Sequence, residues 1–216
     1  MTLTLAIDTS FHVACGLAND GAPVGGIVVA DTKAHGERLM PAVMELLGTH
    51  GVALADLDEF VVGMGPGPFT GLRVGVAAAW TLAAMAGKPA HGVCSLDAYA
   101  LQWRADGAVP GDFVVAADAR RKELYWALYH DGVRVGDPRV GDPRGLPALP
   151  VVGAVPNEYR DLVAWVSEGP TELDAAVLAA RWRELPPAGD EPYYLRPADA
   201  TVGGPPKSAL PRLRAR

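Results

Sequence analysis

From Val74 to Gly87 the chain runs without a charged side chain, between Arg73 and Lys88, and Thr81 is its one plainly polar residue. The run is shorter than the roughly 18 residues that suggest a membrane span. As a helix it is apolar on every side, so a sheet must cover one face and something else the others. Ala77, Ala78, Ala83 and Ala84 would let a second helix approach closely. Thr70 reads as the N-cap, with Gly87 and Pro89 as stop signals.

The surrounding pattern supplies the sheet. Leu3, Leu5 and Ile7 alternate with Thr2, Thr4 and Ala6 before Asp8, which predicts a strand. Val13 to Ala18 and Gly26 to Ala30 read as two more, with Asn19-Asp20-Gly21 as a hairpin signal. A helix follows from Glu37 to His50, on which Leu39, Val43, Leu46 and Leu47 share a face that Met40 and Met44 broaden. Phe60 to Met64 and Ala90 to Cys94 read as strands, and Ser95 caps a helix reaching Arg104. The order is βββ, α, β, α, β, α, and crossover helices between the later strands imply parallel pairing in a layered α/β domain.

The second half starts the same way and then thins. Asp112 to Asp118 and Glu123 to His130 predict two strands before a turn at Asp131-Gly132. Gly136 to Pro150 is rich in glycine and proline and predicts no helix. A short strand at Val151–Gly153 and helices over Asn157–Val166 and Glu172–Leu185 follow. The expected units are an N-terminal lobe at 1–106, a reduced second lobe at 107–197 and a basic tail at 198–216, which reads as disordered.

A net charge of −6 argues against a freestanding nucleic-acid binder, which needs a basic surface. Two cysteines, Cys15 and Cys94, make neither a disulfide scaffold nor a CxxC site. With no basic segment ahead of an apolar stretch at the start, the expectation is a cytoplasmic protein without a membrane anchor.

Five features could carry chemistry. Asp8-Thr9-Ser10 could hold a phosphate or a metal-bound water, or simply form an Asx turn, and the turn is the better reading. Gly63 to Arg73 is a Gly/Pro loop running into a helix N-terminus. It is neither a Walker A loop nor a GxGxxG, and its prolines remove donors a phosphate cradle would use. The charge-free helix is either ordinary core or a patch completed by a partner chain, with little to choose between them. His12, His35, His50, His91 and His130 show no metal-ligand spacing. Asp118 to Glu123 occupies the same place in its lobe as Asp8 to Ser10 in the first; it reads as a solvated hairpin.

Leu5-Ala6-Ile7-Asp8-Thr9-Ser10, His35 to Pro41, Gly65-Pro66-Gly67-Pro68-Phe69-Thr70-Gly71-Leu72-Arg73-Val74-Gly75, Ser95-Leu96-Asp97-Ala98 and Asp118-Ala119-Arg120 resemble the TsaB (YeaZ) family. Tyr194-Leu195-Arg196-Pro197 resembles its closing motif. The resemblance implies an actin-like (ribonuclease H-like) two-lobed α/β fold of the hexokinase, Hsp70 and actin superfamily, with the second lobe reduced. It also implies a role in threonylcarbamoylation of tRNA adenosine beside the anticodon. There the chain would be a scaffold for a TsaD homologue, with a TsaE homologue, and would meet tRNA only indirectly. The expected partner interface is Leu39, Met40, Val43, Met44, Leu47, Arg73, Val76, Ala77, Trp80, Ala83 and Ala84, and a homodimer through the same helices is expected when the chain is alone. Asp8, Thr9, Ser10 and Asp118 would line a vestigial nucleotide cleft.

Departures from the transferase pattern point to a pseudo-enzyme. Only His35 stands where two metal-binding histidines would be, the second phosphate turn lacks glycines, and Val152-Gly153-Ala154-Val155 keeps one glycine. The expectation is no catalytic residue, no metal and no cofactor, with ATP–Mg²⁺ only in the complex. The alternative is an ATP-binding kinase or transferase using Asp8 and Asp118.

Overall fold

The structure is a computed structural model that describes residues 1–29, 35–105 and 111–196. Its first sheet holds β1 (Leu3–Asp8), β2 (Val13–Asn19), β3 (Ala22–Val29), β4 (Glu59–Gly63) and β5 (Ala90–Val93) in the order β3-β2-β1-β4-β5. β1 pairs antiparallel with β2 and parallel with β4, which is parallel to β5. Helices α1 (His35–Thr49), α2 (Phe69–Ala86) and α3 (Ser95–Ala105) complete the lobe. Parallel neighbours need crossover helices, and α1 and α2 are those crossovers.

The second sheet repeats the first. It comprises β6 (Asp112–Asp118), β7 (Leu124–His130), β8 (Val133–Gly141) and β9 (Val151–Ala154), ordered β8-β7-β6-β9. β6 pairs antiparallel with β7 and parallel with β9, as β1 does with β2 and β4. The copy is reduced in two places: among the described residues it has no counterpart of β5, and a single 3₁₀ turn, Pro143–Gly145, stands where α1 stands in the first lobe. This is the two-lobed actin-like fold with a reduced second lobe.

Alternation along β1 divides the core. Leu5 and Ile7 pack with Leu17, Leu39, Val43, Phe60 and Val62 beneath α1 and α2. Ala6 faces the other way, into a core of Tyr99, Trp103, Phe113, Val115 and Tyr129 that joins the two sheets through α3. Both faces of β1 are therefore covered, which explains its nearly unbroken burial.

Several expectations need correction. Gly136 to Pro150 holds no α-helix, as expected, but it includes most of β8, which the sequence did not suggest: Pro138 sits in an edge strand, where a missing N–H costs no ladder bond. The helix expected over Asn157–Val166 is one turn, α4 (Asn157–Arg160). That expected over Glu172–Leu185 is α5 (Ala175–Arg181) plus a 3₁₀ turn, with Asp174 as its N-cap. α2 begins at Phe69 with Pro68 at the cap position, so Thr70 caps nothing. Nor does 107–197 stay in one lobe. α5 packs on β1, β2 and β3, and Glu59 accepts hydrogen bonds from Trp182 Nε1 (3.2 Å) and Arg183 (2.6 Å). The 106/107 boundary and the tail at 198–216 lie outside the described residues.

α2 is long and apolar enough to cross a membrane by length and composition alone. Here Gly71, Leu72, Gly75, Ala79, Leu82 and Ala83 are buried and the helix packs on β4.

Candidate functional site

The first turn is closed by its own chain. Asp8 ends β1 and accepts the Ser10 amide through Oδ1 at 2.7 Å, an Asx turn. Thr9 Oγ1 donates to the carbonyl of Gly71 at 2.7 Å, at the start of α2. The Ser10 and Ser95 hydroxyls share a hydrogen bond of 2.7 Å, and Ser95 Oγ also accepts the Gly65 amide. Ser95 thus links the loop to the β1 turn. The Gly/Pro loop and α2 sit this close because their glycines allow it. A Cβ on Gly63 would fall 1.9 Å from Asp8 Oδ2, and one on Gly75 would fall 2.1 Å from Thr9 Oγ1. The hydroxyls a phosphate would need are bonded inward, and Thr9 and Ser10 are fully buried. Burial pushes the Asp8 carboxyl up, with the Ser95 and Ser10 hydroxyls and the Ser10 amide opposing.

Between the lobes lies a cleft of about 370 Å³. Ser10, Phe11 and His12 form one wall; Asp118, Arg120 and Ala154 to Glu158 form the other, with Arg160 and Glu172 at its sides. Of the four expected cleft residues, Ser10 and Asp118 meet here, whereas Asp8 and Thr9 do not line it. The cleft carries both signs of charge: Arg120 pairs with Asp118 at 3.1 Å, while Arg160 donates to the Val155 carbonyl and lies over the Trp165 ring. Burial pulls the His12 imidazole below its ordinary value, opposed by Glu172.

The second turn is a tight hairpin whose tip residues Arg120, Arg121 and Lys122 have φ of 59°, 53° and 64°. Left-handed backbone suits glycine far better than these side chains. Arg196, from the closing motif, holds the turn: Nη1 donates to the Ala119 carbonyl at 2.6 Å and Nη2 pairs with Glu123. Its neighbour Tyr194 packs on Phe69, under Arg73, at the start of α2. Periodicity gave no sign of these contacts; the YLRP stretch was the available signal.

The helical face divides cleanly. Leu39, Val43 and Leu47 of α1 and Ala83 of α2 are buried in the chain's own core, so they cannot face a partner; Val76 is half-buried. Exposed are Arg73, Ala77, Trp80 and Ala84, spaced i, i+4, i+7, i+11 along α2, and Met40 and Met44 on the adjacent α1. Met44 is 62% exposed and Met85, at the end of α2, 72%. A stripe of small and apolar residues is thus uncovered. Among the described residues no three His, Cys, Asp or Glu side chains come together as a metal site; the His35 side chain lies outside them.

Duplicated sheets flanking a cleft define an actin-like protein, and residues 17–143, more than half of the chain, match the family of TsaD, tRNA N6-adenosine threonylcarbamoyltransferase. A Mycobacterium tuberculosis protein is 42% identical over 210 residues, covering 93% of this chain and 94% of that protein. The Escherichia coli tRNA threonylcarbamoyladenosine biosynthesis protein TsaB is 41% identical over 128 residues, covering 58% of this chain and 54% of that protein. The solved structure of YeaZ from Pseudomonas aeruginosa superposes with a TM-score of 0.67 at 26% identity, over 85% of this chain and 92% of that one. The chain belongs to the TsaB (YeaZ) family.

Proposed function

We propose that this chain is a non-catalytic scaffold subunit for threonylcarbamoylation of tRNA adenosine, binding a TsaD-type transferase through α1 and α2. The observation that carries this is the uncovered stripe of Arg73, Ala77, Trp80 and Ala84 beside Met40 and Met44. Small residues admit a close helix, and exposed Trp, Met and Arg are the residue types enriched where proteins meet. The name of the relatives, tRNA threonylcarbamoyladenosine biosynthesis protein TsaB, supports the pathway. A TsaE-type ATPase joins the assembly in the cytoplasm, and ATP–Mg²⁺ belongs to the complex rather than to this chain. The inward-bonded Thr9 and Ser10 favour this reading over a kinase built on Asp8 and Asp118.

Co-purification with the TsaD homologue of the same organism tests it. Ala77→Glu with Ala84→Glu puts two charges on exposed positions and leaves the fold intact. A charge buried without a partner costs more than the ~1.4 kcal/mol of a tenfold affinity change, so binding falls more than about tenfold. A folded double variant that binds as well as the parent refutes the assignment.

A further inference from the structure

Beside the cleft lies a second, much smaller cavity of about 10 Å³, lined by Asp8, Phe11, His12, Ala14, Tyr99 and Leu173. Phe11 and His12 line both spaces and form the partition between them. Three residues of the inner cavity each carry a buried polar atom outside any well-formed protein hydrogen bond: Asp8 Oδ2, His12 Nδ1 and Tyr99 Oη, the last with the Leu173 amide beside it. Buried polar groups are nearly always paired, so three residues that line one small space and each carry such an atom point to a ligand. The volume is that of about one water-sized sphere, and a buried water needs two to four polar partners.

We propose that this cavity is a binding site for a single water molecule that ties the β1 turn to helix α3. The donors and acceptors balance. The water donates one proton to Asp8 Oδ2 and one to His12 Nδ1, and accepts the Tyr99 hydroxyl. All three protein atoms are then satisfied, and His12 is fixed as the neutral tautomer with its proton on Nε2. Burial, which lowers the pKa of the imidazole, is consistent with this. Asp8 becomes a positioning residue: Oδ1 holds the Ser10 amide and Oδ2 holds the water, leaving neither oxygen for a ligand in the cleft. The site stands independently of the scaffold reading, because it concerns the interior of the isolated chain.

Nuclear magnetic resonance of the labelled full chain tests it. Expected are cross-relaxation between a long-lived water and the Tyr99 and His12 rings, and ¹⁵N shifts of His12 that mark Nδ1 as an unprotonated acceptor. Tyr99→Phe removes one of the three partners and weakens or abolishes the water signal. Ala14→Ser, a milder change, puts a hydroxyl on the cavity wall in the water's place and abolishes it in a folded chain. A folded parent without a bound-water signal, a His12 protonated on Nδ1, or an unchanged signal in Ala14→Ser overturns the proposal.

Discussion

Gly75→Ala separates local propensity from tertiary structure. Gly75 lies inside α2, where glycine is worse than alanine by ~1 kcal/mol, so propensity alone makes the substitution stabilising. The structure gives the opposite sign. The new Cβ would fall 2.1 Å from Thr9 Oγ1 and 3.0 Å from its Cβ and Cγ2, so α2 must move off the β1 turn. Overpacking of this kind costs about 1–3 kcal/mol. The 2.7 Å bond from Thr9 to the Gly71 carbonyl stretches with it, at about 1 kcal/mol. Against the propensity gain, the net is a destabilisation of about 1–3 kcal/mol, several degrees in melting temperature for a chain of this size. Gly48→Ala is the control: Gly48 lies near the end of α1, a Cβ there meets nothing within 4 Å, and the sign is stabilising or neutral. Urea denaturation of the two variants, and of Gly75→Ala in a Thr9→Ala background where the 2.1 Å contact with Oγ1 is removed, gives the comparison. A Gly75→Ala chain as stable as the parent refutes the closed turn.

Arg134→Met strands the Asp97 carboxylate, now held by Arg134 Nε at 2.9 Å and the Tyr129 hydroxyl at 2.7 Å; losing a partner of a buried pair costs about 3–5 kcal/mol, read by urea denaturation. Asp174→Ala removes the side-chain acceptor of the Ala176 and Val177 amides and destabilises by about 1 kcal/mol, read by the denaturation midpoint. Asp112 holds the exposed His130 imidazole above its ordinary value of 6.5, so the stabilisation is fully present below that pH and is lost as pH rises through the folded value; an NMR titration shows a lower His130 midpoint in Asp112→Asn. Arg196→Ala frees the Ala119 carbonyl and Glu123 and speeds amide exchange across residues 119–123, with little change in β1.

The first lobe was legible because its signals are local. Alternation in β1, the i, i+4 pattern of α1 and the charge-free run of α2 each lie within one element, and the βββαβα order follows from them. The second lobe was less so: β8 carries Gly136 and Pro138, and only its place at a sheet edge makes that composition a strand. The candidate site was legible in part. Ser10 and Asp118 do meet at the cleft, but closure of the first turn depends on Gly63 against Asp8 and Gly75 against Thr9, pairs more than fifty residues apart. The partner face was half legible, because helical periodicity identifies apolar residues without saying which of Leu39 and Met40, or Ala83 and Ala84, turns inward. The sheet makes that choice.

Reconstituted threonylcarbamoylation of tRNA bears most directly on the scaffold role. The transferase, the ATPase and the threonylcarbamoyl donor are assayed with this chain, without it, and with the Ala77→Glu, Ala84→Glu chain; this chain is also assayed alone with donor and tRNA. The account predicts modification in the first reaction only. Modification by this chain alone, or full modification with the double variant, contradicts it.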